Sequence, residues 1–221
     1  MMGTESTGFL YPFLDAEERN ADALLADLAA SAQAKARESA ALQRATLEEC
    51  AEQITAAAAA MAERFARGGR MYTFGNGGSS TDAATLADLF SRPPHGRPLP
   101  AWSLAANQAV LTALGNDVGF DLVFSRQLIA HSGQADIAVA LSTSGNSEDL
   151  TVALAEAKRR GLLTIGFAGY DGGRFATDGN VDFCFVVRSQ SVHRIQESQA
   201  LLGYQLWATV QQHLAGGEGP R

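Results

Sequence analysis

A parallel β-sheet covered by helices on both faces is the fold class this sequence predicts, and three observations predict it. Beyond Gly69, short apolar runs alternate with stretches of helical periodicity. The runs are near-continuous rather than alternating apolar and polar, as strands buried on both faces require. Two of them leave through turns rich in glycine, serine and threonine that lead straight into helices.

The elements follow in order. From Pro12 to Arg67 the only proline stands at the start and glycine is absent, while Leu24, Leu25, Leu28, Leu42, Leu47, Ile54, Met61 and Phe65 recur at helical spacing. One or two long helices are expected, stopped by Gly68-Gly69. The alanine run 56–60 fits close packing against another helix and, equally, helix-forming filler on a surface. Arg70–Phe74 reads as a strand, Gly75–Gly78 as a turn and Ser79–Phe90 as a helix. Arg92–Pro100 holds four prolines and is a loop. A strand at Ala101–Leu104 precedes helices at Gln108–Leu114 and Leu122–His131. Ile137–Leu141 is an apolar strand, followed by a Ser/Thr/Gly turn and the helix Asp149–Arg160, which Gly161 stops. Strands at Leu162–Phe167 and Val181–Val187, a last helix Arg194–Leu214 and a tail Gly216–Arg221 complete the chain.

Composition sets the bounds. At 221 residues, with 46% hydrophobic and 19% charged residues, the chain suits one packed domain with a helical appendage. The net charge of -7 argues against direct nucleic-acid binding. Residues 1–68 carry six basic and eleven acidic side chains and so hold -5 of it. No stretch approaches the roughly 18 apolar residues of a membrane span, and the start lacks the order of a secretory signal. Cys50 and Cys184 make neither a disulfide framework nor a metal cluster. A cytoplasmic location is expected.

In parallel sheets, ligands bind beyond the carboxyl ends of the strands. There, Gly75-Asn76-Gly77-Gly78-Ser79 brings backbone N–H groups and a helix N-terminus to one point. Ser142-Thr143-Ser144-Gly145-Asn146-Ser147 adds four hydroxyls. This chemistry suits a phosphate without lysine or arginine. It is neither a Walker loop nor a G-x-G-x-x-G dinucleotide loop. Each loop alone is also compatible with an ordinary tight turn.

Gly75–Ser79, Leu111–Asp117, Phe124–Gln127, Leu141–Ser147 and Arg194–Glu197, supported by Gly169–Gly173, resemble in order and spacing the sugar isomerase (SIS) domain of phosphoheptose isomerases and related replication-initiator-associating proteins. The resemblance implies a three-layer, flavodoxin-like sheet of five parallel strands. It also implies N-terminal helices (residues 12–68) that help build a homotetramer, and a phosphosugar-binding domain over 69–215. By resemblance, Asn76, Gly77, Gly78 and Ser79 line the sugar, Asn116 and Asp117 bind its hydroxyls, and Ser142, Thr143, Ser144 and Ser147 hold the phosphate. Subunits would share the site, and an unidentified protein partner is a further possibility the relatives raise.

The family's zinc set does not transfer. Its histidine and glutamate positions on the helix after the glycine loop are Thr85 and Leu89 here. Its glutamine is present as Gln196, and its last histidine is Tyr204. Leucine neither binds zinc nor takes a proton, and threonine is a poor zinc ligand. No zinc is expected, and hence a binding or regulatory protein rather than a zinc isomerase; the alternative is a ketose–aldose phosphate isomerase with altered residues. Asp88, His193, Glu197 and Tyr204 are its candidate acid–base groups. Each also has a plain structural reading: a solvated carboxylate, a loop histidine, an ion-pair partner and a packing residue. His95 and Arg97 in the proline-rich loop are outlying candidates for a neighbouring subunit's sugar. His131 and His213 read as helix-end residues.

Overall fold

The computed structural model describes residues 21–216. The expected stretches 12–20 and 217–221 lie outside them. Within the described residues the N-terminal helical stretch is a single helix, α1 (Ala21–Ala66), rather than two. The chain divides into two compact units between Ala41 and Leu42. In the first unit, Leu24, Leu25 and Leu28 are exposed.

In the second unit α1 contributes Cys50, Ile54, Ala57, Ala58, Met61 and Phe65 to the core, one stripe at helical spacing. This settles the alanine run: Ala57 and Ala58 are fully buried, whereas Ala56 is exposed. The absence of side-chain bulk at 57 and 58 is what lets the helix approach its neighbours.

Five strands follow: β1 (Met71–Gly75), β2 (Ala101–Ser103), β3 (Ile137–Leu141), β4 (Leu163–Gly169) and β5 (Phe183–Val187). All pair in parallel in the order β2-β1-β3-β4-β5. Helices α2 (Gly78–Ser91), α3 (Gln108–Asp117), α4 (Val123–His131), α5 (Glu148–Arg159), α6 (Gly173–Thr177) and α7 (Val192–Gly216) connect and flank them. Strand alternation splits the core in two. Met71, Ile137, Val139, Leu141, Ile165 and Phe167 face α1, α2 and α7. Tyr72, Phe74, Ala138 and Ala140 face α4 and α5. The five-stranded, three-layer parallel fold expected from the sequence is the fold observed.

Three local differences have physical reasons. α3 runs on to Asp117, and a 3-10 turn (Phe120–Leu122) then hands over to α4. Val181-Asp182 is not strand, because the Asp182 carboxylate takes the Thr164 N–H and hydroxyl itself (3.0 and 2.9 Å) and replaces ladder bonds there. The glycine-rich segment after β4 contains the short α6, which periodicity over five residues does not reveal.

The strand order reverses between β1 and β3. That topological switch point opens a crevice beyond their carboxyl ends, and the two glycine- and serine-rich turns form its rims.

Candidate functional site

Gly75 ends β1 where no side chain fits: a Cβ there would lie 2.7 Å from the carbonyl oxygens of Leu141 and Ser79. Gly77 then adopts φ 54°, ψ -124°, a conformation open to glycine, and α2 begins with no side chain capping its N-terminus. A Cβ at Gly78 would meet the Gln196 amide nitrogen at 2.5 Å, so the first turn of α2 lies directly beneath α7. Ser79 is buried, whereas Gly77 and Gly78 are exposed.

The second rim is held from three sides. Within it, Ser142 Oγ accepts from the N–H groups of Gly145 (3.0 Å) and Ser144 (3.3 Å), and Ser144 Oγ accepts from Asn146 N–H. Gly169 N–H donates to the Thr143 carbonyl at 3.0 Å. Gly145 sits at φ 66°, and a Cβ there would come within 2.2 Å of the Gly172 carbonyl. From α7, Gln199 Nε2 donates to the Ser142 carbonyl at 2.8 Å. α5 also starts at Ser147 without a hydrogen bond from the Ser147 side chain. Two helix N-termini without N-cap side-chain bonds therefore border one crevice; that of α2 is left for an acceptor from outside, and that of α5 is partly taken by the Asp149 carboxylate.

Between the rims lies a residue that sequence reasoning missed. Asp149 is 4% exposed, and the Asn76 Nδ2 donates to both its carboxylate oxygens at 3.0 and 2.9 Å. Burial pushes its carboxyl up. The Asn76 amide and the backbone N–H groups of Leu150 and Asp149 pull it back, and the charge of Asp121 adds to the rise.

Thr85, Leu89 and Tyr204 line a cavity of about 60 Å³ completed by Asp82, Leu86, Leu141, Gln199, Ala200 and Gly203. Gln196 Nε2 donates to Asp82 Oδ2 at 3.0 Å. Burial raises the Asp82 carboxyl, and the Gln196 bond opposes the rise. Gln199 is 1% exposed and its Oε1 has no hydrogen-bond partner. Asp82 and Gln199 were also missed. A helical-face argument from 82 through 85 and 89 finds the first; nothing short of the fold finds the second. Among the described residues, no three His, Cys, Asp or Glu side chains are grouped as a metal would require.

The other candidates are scattered. Asp88 is exposed, pairs with Arg92 at 2.7 Å and lines a separate depression with Pro98–Trp102. His193 and Glu197 are exposed in the first turns of α7. Tyr204 also packs its ring 5.3 Å from Trp207. Asn116 Nδ2 donates to Asp117 Oδ1 at 2.8 Å, both exposed at the end of α3. His95 stands edge-on to Trp207 at 4.9 Å, and Arg97 N–H donates to Gln211.

The chain has known relatives. The SIS-domain profile matches residues 36–169. The phosphoheptose isomerase of Solidesulfovibrio magneticus is 42% identical over 170 residues, covering 74% of this chain and 80% of that protein. The phosphoheptose isomerase of Aquifex aeolicus is 40% identical over 178 residues, covering 80% and 92%. The structure of phosphoheptose isomerase GmhA from Neisseria gonorrhoeae superposes with a TM-score of 0.77 at 31% identity, covering 84% of this chain and 99% of that one. With the switch-point loops and the 2-1-3-4-5 sheet in place, the chain belongs to the SIS-domain family, in the group of the phosphoheptose isomerases.

Proposed function

We propose that the protein binds a sugar phosphate at the β1/β3 switch point and acts as a binding or regulatory protein rather than as a zinc isomerase. The phosphate sits in the Ser142–Ser147 loop, contacted by Ser142, Thr143, Ser144 and Ser147. The sugar extends toward Asn76–Ser79, with Asn116 and Asp117 binding its hydroxyls in a site that subunits share. One observation carries the reading: an intact anion cradle stands beside a cavity walled by Thr85, Leu89 and Tyr204. The zinc that the family implies does not fit this wall, because Thr85, Leu89 and Tyr204 offer a methyl-bearing hydroxyl, an isobutyl group and a phenol, and the one carboxylate lining the cavity, Asp82, stands without an imidazole beside it and is held by Gln196. No step is therefore routed through a metal.

The reading extends to a cytoplasmic homotetramer assembled in part through the helix that bears Leu24, Leu25 and Leu28, and it leaves room for a protein partner. Among the described residues no helix is long and apolar enough to cross a membrane.

The test uses sedoheptulose 7-phosphate. At a hundred times Kd, binding stabilises by about 2.7 kcal/mol, which raises Tm by about 5–10 °C for a chain of this size. NMR should detect no aldose product, with or without added zinc. Turnover that a chelator abolishes overturns the reading.

The isomerase alternative has one observation in its favour. Asp82 is a half-buried carboxylate, raised by burial and oriented by Gln196, on the same cavity as Tyr204. There it would shuttle the proton between C1 and C2 with Tyr204 polarising the carbonyl. Metal-independent aldose formation, lost in Asp82→Asn, would establish it.

A further inference from the structure

Asn76 is the first side chain beyond β1, and its amide is ambiguous by nature. One edge donates, the other accepts, and rotation by 180° exchanges them with little change in shape. What fixes it here is Asp149. The Asn76 nitrogen stands at 3.0 and 2.9 Å from the two carboxylate oxygens, and an ionised carboxylate accepts only. The reversed amide would set its carbonyl oxygen against a buried negative group. Asn76 makes no other side-chain hydrogen bond to a described residue, so its carbonyl oxygen is left to accept from elsewhere.

Burial at 4% exposure pushes the Asp149 carboxyl up, and the donors around it oppose that rise. The carboxylate lies in the first turn of α5, where the backbone N–H groups of Asp149 itself and Leu150 donate to it. Asp149 therefore occupies part of the α5 N-terminus. The anion is left to the preceding loop, whose Ser142 and Ser144 hydroxyls already brace its backbone.

We propose that Asp149 is a positioning residue that locks the Asn76 amide with its oxygen toward the crevice, so that the site selects ligands presenting a hydroxyl donor there: a polyol phosphate over a bare phosphate or a deoxygenated one. The proposal rests on the sugar-phosphate reading above and names a specificity element within it. Phosphate affinity belongs to the Ser142–Ser147 loop and does not depend on the lock.

The experiment compares binding of sedoheptulose 7-phosphate and inorganic phosphate by calorimetry, in the full chain and in two variants. Asp149→Asn keeps shape but can present either edge to Asn76. It should weaken sugar-phosphate binding about fivefold to tenfold and leave inorganic phosphate unchanged. The exchange Asn76→Asp with Asp149→Asn reverses the pair. The carboxylate then stands at position 76, accepts from the amide introduced at position 149 and again offers only acceptors to the crevice, so the preference should return. An unchanged preference in Asp149→Asn, or no recovery in the exchanged pair, overturns the proposal. An equal loss of both ligands shows a merely structural role and overturns it too. Should Asp149→Asn fail to fold, the exchanged pair alone decides. If the unsubstituted chain prefers neither ligand, it is the sugar-phosphate reading that has failed, and the two failures are told apart.

Discussion

Two regions meet under the first turn of α7, and they carry opposite chemistry. The switch-point loops are polar, glycine-bearing and braced by backbone-directed hydroxyls. The cavity between α2 and α7, tied to the switch-point loops by the Gln199 bond to the Ser142 carbonyl, is walled largely by Leu86, Leu89, Leu141, Ala200 and Gly203. The contrast teaches that two separable parts lie side by side: a turn that tolerates few changes, because Cβ atoms at its glycines meet backbone, and a cavity whose side chains project from helix faces where a substitution leaves the backbone intact.

The largest effect should come from changing the cavity. Thr85→His, Leu89→Glu and Tyr204→His together place four donors, with Gln196, on one small space. The triple variant should gain zinc at micromolar affinity or tighter, about 8 kcal/mol, read by competition with a chelator. No gain would mean that these positions do not converge on one ion. Next comes the loop. Gly145→Ala puts a Cβ at 2.2 Å from the Gly172 carbonyl at a positive φ. It should destabilise by about 3 kcal/mol or more in urea unfolding and lose ligand binding; a mild effect would show that the two loops can part without disturbing the site.

Ser144→Ala with Ser147→Ala removes hydroxyls and leaves the strand ends alone. Phosphate affinity should fall about tenfold, and unchanged affinity would move the cradle elsewhere. The smallest effect lies away from both regions. Asp182 is held below the usual carboxylate range: burial pushes its carboxyl up, but Lys158 and the Thr164 N–H and hydroxyl outweigh that. A depressed carboxyl stabilises above its unfolded value and loses that contribution as pH falls through the folded one. Asp182→Asn should therefore flatten the acid limb of stability below about pH 3.8, by roughly 1 kcal/mol, while ligand affinity stays the same. A change in affinity would tie the far edge of the sheet to the site.

Much of this was legible in the sequence. The strands are short, apolar and bounded by glycine or serine, so they announced themselves, and resemblance supplied their order. The two rims were legible as glycine- and hydroxyl-rich turns because each stands between an apolar run and a helical one, although either turn alone fits an ordinary tight turn as well. What stayed hidden was the set of side chains that the fold brings together from afar. Asp149 reads as an ordinary acid in the first turn of a helix, and only the pairing of β1 with β3 sets it against Asn76, 73 positions earlier. Gln199 reads as one polar residue among several on α7 until its amide meets the Ser142 carbonyl. Asp88 went the other way: adjacent in sequence to Leu89, it is turned by one helical step to pair with Arg92.

The bracing of the second rim has a kinetic consequence. Its hydroxyls, the neighbouring Gly169–Gly173 turn and the Gln199 amide hold the loop in one shape in the free protein. On the proposed reading, a ligand entering there waits for no closing motion. In stopped-flow mixing the observed rate should rise in proportion to ligand concentration without levelling off, in a single phase, and residence time alone should then separate a tightly held sugar from a weakly held one.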